Sequence, residues 1–237
     1  MDNRRFWEAE AENWLRFART PGLDAYWDYR DAFFDKVVPP PGRATLEVGC
    51  GEGRVTRDLL ARGHRVVSID GSPRLLLSAL DLDVSPRYVL ADALALPVAT
   101  GSCDLVVAYN SLMDFDDLPR AVAEVARVLQ PGSAFCICVV HPVLDAGQFA
   151  GDAPDAPYFL RRPYLGSHPY EGAACEEGVP MTFRGWSHSL EVYASGLFAA
   201  GFVIDALYEP IPAGSSTKAD KRWAEYPLFL FLRAVKM

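Results

Sequence analysis

A run of alternating glycines and the carboxylates spaced around it carry most of the chemistry that this sequence offers. In Leu46-Glu47-Val48-Gly49-Cys50-Gly51-Glu52-Gly53-Arg54, a short apolar strand enters a turn with glycine at every second position and opens directly into a helix. Glycine permits the sharp turn and leaves no Cβ between the backbone and a ligand lying over the helix N-terminus. Glu47 stands two residues before the first glycine, and Asp70 ends the next apolar run, Val66-Val67-Ser68-Ile69-Asp70-Gly71-Ser72-Pro73. A carboxylate at that second strand end can accept both hydroxyls of a ribose. The pattern predicts a site for a nucleoside-containing cofactor, drawing on Glu47, Gly49, Cys50, Gly51, Gly53, Asp70, Gly71 and Ser72. Cys50 reads as a small packing residue rather than a nucleophile, because nothing near it in sequence would lower its pKa.

The elements that must position these residues follow a clear alternation. Residues 3–19 read as an amphipathic helix, with Phe6, Trp7, Trp14 and Phe17 at roughly helical spacing. An aromatic-rich second helix runs into Pro39-Pro40-Pro41-Gly42, a stiff break. Residues 1–41 are therefore expected to form a helical cap joined to a domain over 42–237. There, strands are expected at 45–50, 65–69, 87–90, 104–109 and 134–140, with helices at 55–61, 73–80 and 118–129 between them, and Pro131-Gly132 as the turn into the fifth strand. Such alternation builds a parallel sheet with helices on both faces. After His141-Pro142 the periodicity lapses for about forty residues, longer than loops in compact domains usually run. That stretch, about 142–186, reads as an insertion. A helix at 189–200 and strands at 202–208 and 228–235 follow, the strands separated by a polar loop containing Gly214-Ser215-Ser216-Thr217-Lys218.

With those motifs in order, the chain resembles the class I S-adenosylmethionine-dependent methyltransferase family, closely over roughly residues 40–140. Glu47 to Gly53 is similar to the family's first motif, and Asp70 to its ribose-binding acid. Asp92-Ala93 looks like the motif after the third strand that meets the adenine, and Asn110 stands at the end of the fourth strand, near where the resemblance places the sulfonium. Val125-Ala126-Arg127-Val128-Leu129-Gln130-Pro131-Gly132 matches the family's helix and turn before the fifth strand, with Ser133 replacing a common glycine. The resemblance implies a Rossmann-like α/β fold with a seven-stranded, mostly parallel sheet whose last strand is antiparallel. It also implies S-adenosyl-L-methionine as cofactor, S-adenosyl-L-homocysteine as product, and a small-molecule methyl acceptor with an O, N, S or C nucleophile. Asn110-Ser111-Leu112-Met113-Asp114 departs from the Asn-Pro-Pro-Tyr pattern associated with amino methylation of DNA bases or glutamine.

Methyl transfer needs alignment of the nucleophile and, for some acceptors, removal of a proton. His141, just past the fifth strand, reads either as a general base or as a structural histidine anchoring the insertion. Asp114 and His188 are further candidates, the latter in competition with helix capping. Trp14, Tyr26 and Met113 are candidates for the acceptor pocket, although packing explains most aromatic positions. Arg19 is a candidate partner for the cofactor carboxylate.

Composition narrows the remaining classes. The 237 residues are 50% hydrophobic and 23% charged, with a net charge of −8. That balance disfavours a nucleic-acid partner, which wants a basic face. The five cysteines lack metal-ligand spacing, so no metal site is expected. No apolar run reaches the roughly 18–20 residues of a membrane span, and the N-terminus lacks the apolar stretch of a secretory signal. A cytoplasmic protein, monomeric or homodimeric, is the expectation. The same fold and a ribose acid also serve NAD(P)-dependent oxidoreductases, and a protein that binds the methyl donor as a cyclase or regulator would share these motifs.

Overall fold

The structure, a computed structural model, describes all residues except Met1, Asp152, Pro154 and 215–220. Two helices, α1 (Asn3–Arg19) and α2 (Tyr26–Lys36), precede the alternation β1 (Thr45–Val48), α3 (Arg54–Ala61), β2 (Val66–Asp70), α4 (Pro73–Leu82), β3 (Arg87–Leu90), β4 (Cys103–Tyr109), α5 (Leu118–Val128) and β5 (Leu129–Val140). Then come α6 (Pro142–Asp145), β6 (Gly147–Phe149), β7 (Tyr158–Leu160), β8 (Ser167–Glu176), β9 (Val179–His188), α7 (Leu190–Ala199), β10 (Phe202–Tyr208) and β11 (Phe229–Lys236).

Among the described residues, seven strands form one sheet in the order β10-β11-β5-β4-β1-β2-β3. β1 to β5 pair in parallel, while β11 runs antiparallel to both β5 and β10. The expected Rossmann-like sheet with an antiparallel last strand is what the chain builds. Side chains alternate across its central strands. Val106, Ala108, Phe135, Ile137 and Val139 face one core, and Leu105, Val107, Tyr109, Cys136 and Cys138 the other. Burial on both faces is why these strands read as unbroken apolar runs. No helix among the described residues is long and apolar enough to cross a membrane.

Three departures from the sequence reading have physical causes. Pro131-Gly132 lies inside β5 rather than ahead of it. The pairing passes from Cys103↔Leu129 to Leu105↔Ala134, so the Pro-Gly pair is absorbed as an irregularity, with Gly132 at φ 78°. The two N-terminal helices also diverge. The rings of α2 (Tyr26, Tyr29, Phe33, Phe34) pack on a sheet face, whereas α1 crosses the carboxyl ends of β2, β3 and β4.

The stretch after His141 is also more regular than its composition suggests, with β6 paired to β7 and β8 to β9. Glu177 (φ 50°) and Gly178 (φ 77°) form the two-residue turn of the longer hairpin, both in the left-handed region that such turns require. The half-buried face of β8 is His168, Tyr170, Gly172 and Ala174, largely polar or small residues, so the strand lacks the apolar alternation that would reveal it. The polar loop's residues 215–218 lie outside the described residues.

Candidate active site

Left-handed backbone shapes the turn after β1. Gly49 has φ 73°, and a Cβ there would fall 2.8 Å from Ser111 Oγ; Gly53 has φ 82°, and a Cβ there would come 3.1 Å from Tyr88 Cζ and 3.2 Å from Ala79. Only glycine fits either place. Ser111 in turn donates to the Val48 carbonyl at 2.7 Å, fastening the end of β4 to the end of β1.

Asp70 is oriented by this turn. Its Oδ2 accepts from the Gly51 N–H at 2.7 Å and its Oδ1 from the Ser72 N–H at 2.8 Å. Burial pushes its pKa up, while these backbone donors pull it back down. Glu47, one strand across, is fully buried against the hydroxyls of Thr56 and Ser68. Desolvation raises its pKa to about 8 despite those hydrogen bonds, so near neutrality the group is largely protonated. Cys50 is buried and its thiol is pushed well up, which suits packing and not nucleophilic attack.

Asp92 accepts from the Leu94 N–H at 2.9 Å through Oδ1, and its Oδ2 stands 3.4 Å from Arg4. Asn110 holds φ 49°, a conformation that asparagine tolerates better than most residues. Its N–H donates to the Cys138 carbonyl at 2.8 Å, and its Oδ1 accepts from the Cys138 thiol at 3.3 Å. Glu47, Gly49, Cys50, Gly51, Asp70, Gly71, Ser72, Asp92, Ala93, Asn110 and Asp114 all line one cavity of about 390 Å³. That size falls within the range of small-molecule sites. Gly53 stands just behind its wall.

Helix α1 closes the mouth of this cavity. The Asn3 N–H donates to Asp116 Oδ2 at 3.2 Å and its Nδ2 to the Asp114 carbonyl at 3.0 Å; Glu8 Oε2 accepts from the Ser72 hydroxyl at 2.6 Å. With Arg4 on Asp92, the helix is tied down beyond three successive strands. Trp14, a predicted pocket residue, does line the cavity, and so does Trp7, which the sequence reading left with the packing aromatics.

Other candidates lie elsewhere. Met113 is buried in the core beneath the 3-10 turn Leu112–Asp114. Tyr26 sits outside the lining, its hydroxyl donating to Asp58 and its ring under the Arg54 guanidinium at 4.7 Å. Arg19 is held at the surface by Ser78 and, at 3.8 Å, by Glu52. His141 caps α6, accepting the Val143 N–H at Nδ1, with Nε2 3.1 Å from Glu209; both ring nitrogens are engaged away from the cavity. His188 lies at the end of β9 with Nδ1 2.8 Å from Ser167 Oγ, and burial pushes its pKa down to about 4. Ser189, not His188, caps α7.

Arg54 is another lining residue that sequence reasoning missed. It is buried, paired with Asp24, and stacked 5.0 Å over Trp14, and burial lowers its pKa to about 10. The available signal was a cation in the first turn of a helix, where the macrodipole disfavours it and some other role must retain it.

A family described as a methyltransferase domain matches residues 46–137, the segment that builds the glycine turn, Asp70, Asp92 and Asn110. The chain is 25% identical to an S-adenosylmethionine-dependent methyltransferase of Mesorhizobium loti, with a TM-score of 0.69 over 90% of this chain and 98% of that one. Residues 46–137 thus carry a methyltransferase domain, and the chain as a whole shares the fold of an S-adenosylmethionine-dependent methyltransferase. Among curated relatives, a malonyl-acyl-carrier-protein O-methyltransferase of Salmonella typhimurium is 35% identical over 66% of this chain and 59% of its own. A demethylmenaquinone methyltransferase of Corynebacterium kroppenstedtii is 31% identical over 50% of each. The chain spans about half the length of the curated relatives it matches.

Proposed function

We propose that this chain is an S-adenosylmethionine-dependent methyltransferase acting on a small-molecule acceptor. The observation that carries the reading is the single cavity in which the Gly49–Glu52 turn, Asp70, Asp92 and Asn110 converge. The residues fit the cofactor: a Cβ at Gly49 would fill part of the cradle, and Asp70 is an oriented acceptor at the strand end where a ribose is held. Asp70 would hold the ribose hydroxyls, Asp92 and Ala93 the adenine, and the backbone of Gly49–Gly53 the methionine portion. Arg54 and the Tyr109 hydroxyl, which is buried without a hydrogen-bond partner, are the lining donors suited to its carboxylate. When bound, S-adenosylmethionine supplies a methyl group on a sulfonium, open to in-line displacement by a nucleophile.

The chain's own part is to orient and to exclude water. Helix α1 covers the cavity, and its rings continue onto the inserted hairpin: Trp7 to Trp14 at 5.9 Å, Trp14 to Phe17 at 5.9 Å, and Phe17 to Phe183 of β9 at 5.5 Å. Asp114 and Asp116 both line the acceptor side; Asp116 accepts from the Asn3 N–H, and burial raises the Asp114 pKa well above the usual carboxyl range. The position of Asp114 after β4 makes it, rather than His141, the group suited to take a proton.

The test is incubation of the protein with methyl-labelled S-adenosylmethionine and a small-molecule extract. Label appearing in a small-molecule fraction, dependent on Asp70, is expected. Label confined to protein or nucleic acid would overturn the small-molecule reading.

A further inference from the structure

The acceptor side of the cavity has a polarity of its own. Hairpin β8–β9 presses against the Leu112–Asp114 turn at Gly185. A Cβ there would lie 2.8 Å from the Met113 carbonyl, 3.0 Å from Asp114 Oδ1 and 3.2 Å from the Tyr170 ring. Tyr170 pairs with Gly185 in the hairpin register, so the Asp114 carboxyl and the Tyr170 ring flank one point of the backbone. The Trp7 indole approaches Asp114 from α1 in a contact that favours the anion, yet closes no hydrogen bond.

Asn3 supplies a separate observation. It is 1% exposed, lines the same cavity, and its Nδ2 is committed to the Asp114 carbonyl, while its Oδ1 has no donor. A buried acceptor left without a donor costs about 1–3 kcal/mol, so it marks a place for an N–H or O–H from a ligand. Neither cation of the lining is left for an anion at this end, since Arg4 is held by Asp92 and Arg54, already paired with Asp24, is the donor assigned to the cofactor carboxylate.

Resting on the methyltransferase reading, we propose that this end of the cavity receives a cationic amine, whose N–H donors go to Asp114 and Asn3 Oδ1 and whose charge lies against Trp7. Acceptor oxygens and aromatic faces suit an ammonium. A carboxylate acceptor would meet Asp114 and Asp116 with no free cation among the lining residues. The nitrogen gives one proton to the Asp114 carboxylate. With the lone pair so exposed it takes up the methyl group, and the carbon–sulfur electron pair stays with the donor's sulfur. Burial disfavours the Asp114 anion in the empty cavity; an arriving ammonium offsets that, and the carboxyl's own proton leaves to solvent before the nitrogen's is taken.

Calorimetric titration of the full chain, first with S-adenosylhomocysteine and then, on the loaded protein, with 2-phenylethylamine, 2-phenylethanol and phenylacetate tests the proposal. The amine is expected to bind at least about tenfold tighter than the alcohol or the carboxylate, about what one charge-assisted hydrogen bond supplies. Asp114→Asn should erase that preference while still binding S-adenosylhomocysteine, which also reports that the variant folds. Equal or tighter binding of the alcohol or carboxylate, or no binding of any of the three to the loaded protein, would overturn the amine site. Failure of the first titration would instead overturn the methyltransferase reading.

Discussion

Asp70 and Glu47 show how two carboxyls one strand apart acquire opposite characters. Asp70 meets backbone N–H donors at the turn, so its oxygens are fixed for a ligand. Removing it as Asp70→Ala should weaken S-adenosylhomocysteine by about 10–100-fold, since hydrogen bonds to a charged group are worth about 1.5–3 kcal/mol. Titration calorimetry reads this directly, and an unchanged affinity would contradict the assignment. Glu47 carries a pKa of about 8 in the folded chain against an ordinary 4.5. The folded state therefore binds the extra proton between those values, and stability is full below about pH 4.5 and drawn down as pH rises toward 8. Glu47→Gln should flatten the fall in Tm between pH 5 and 8. An identical fall in both proteins would show that Glu47 does not titrate as described. His188, lowered from an ordinary 6.5 to about 4 in the folded chain, is protonated only in the unfolded chain between those values, so it adds a rise in stability up to about pH 6.5 and leaves the fall from there toward pH 8 to Glu47.

At the scale of elements, the glycine turn is specified by what surrounds it. Gly53→Ala should cost roughly 2–4 kcal/mol, combining left-handed backbone with overpacking against Tyr88. The Tyr88 hydroxyl has no hydrogen-bond partner, so Tyr88→Phe alone should cost little, and in the Gly53→Ala background it should recover part of the loss. Equal denaturation midpoints for Gly53→Ala with and without the tyrosine hydroxyl would contradict this.

The same contacts explain what the sequence could reveal. The Gly49–Gly53 spacing and Asp70 were legible because a tight turn and a strand-end acid use fixed local offsets. The β8–β9 hairpin was not, because the half-buried face of β8 carries His168, Gly172 and Ala174 in place of large apolar side chains and its turn uses Glu177-Gly178 in place of Asn-Gly. His141 looked available because it follows a central strand. Its use as a cap and its contact with Glu209, 68 residues on, are tertiary facts. Arg54 and Asn3 likewise became site residues only through partners distant in sequence.

For the whole molecule, sheet and cover divide the work. The carboxyl ends of β1 to β4 line the cavity, while α1 lies over it and meets the inserted hairpin through Phe17 and Phe183. A ligand beneath α1 should therefore slow amide exchange across Asn3–Arg19. Exchange there that ignores S-adenosylhomocysteine would show that the helix is not the cover.

The central claim is that this cavity takes the methyl donor rather than a nicotinamide dinucleotide, and parallel calorimetric titrations with S-adenosylhomocysteine and NAD test it most directly. Saturable one-to-one binding of S-adenosylhomocysteine, weakened by Asp70→Ala, with no heat from NAD is the predicted result. Tight NAD binding with no response to S-adenosylhomocysteine would contradict it.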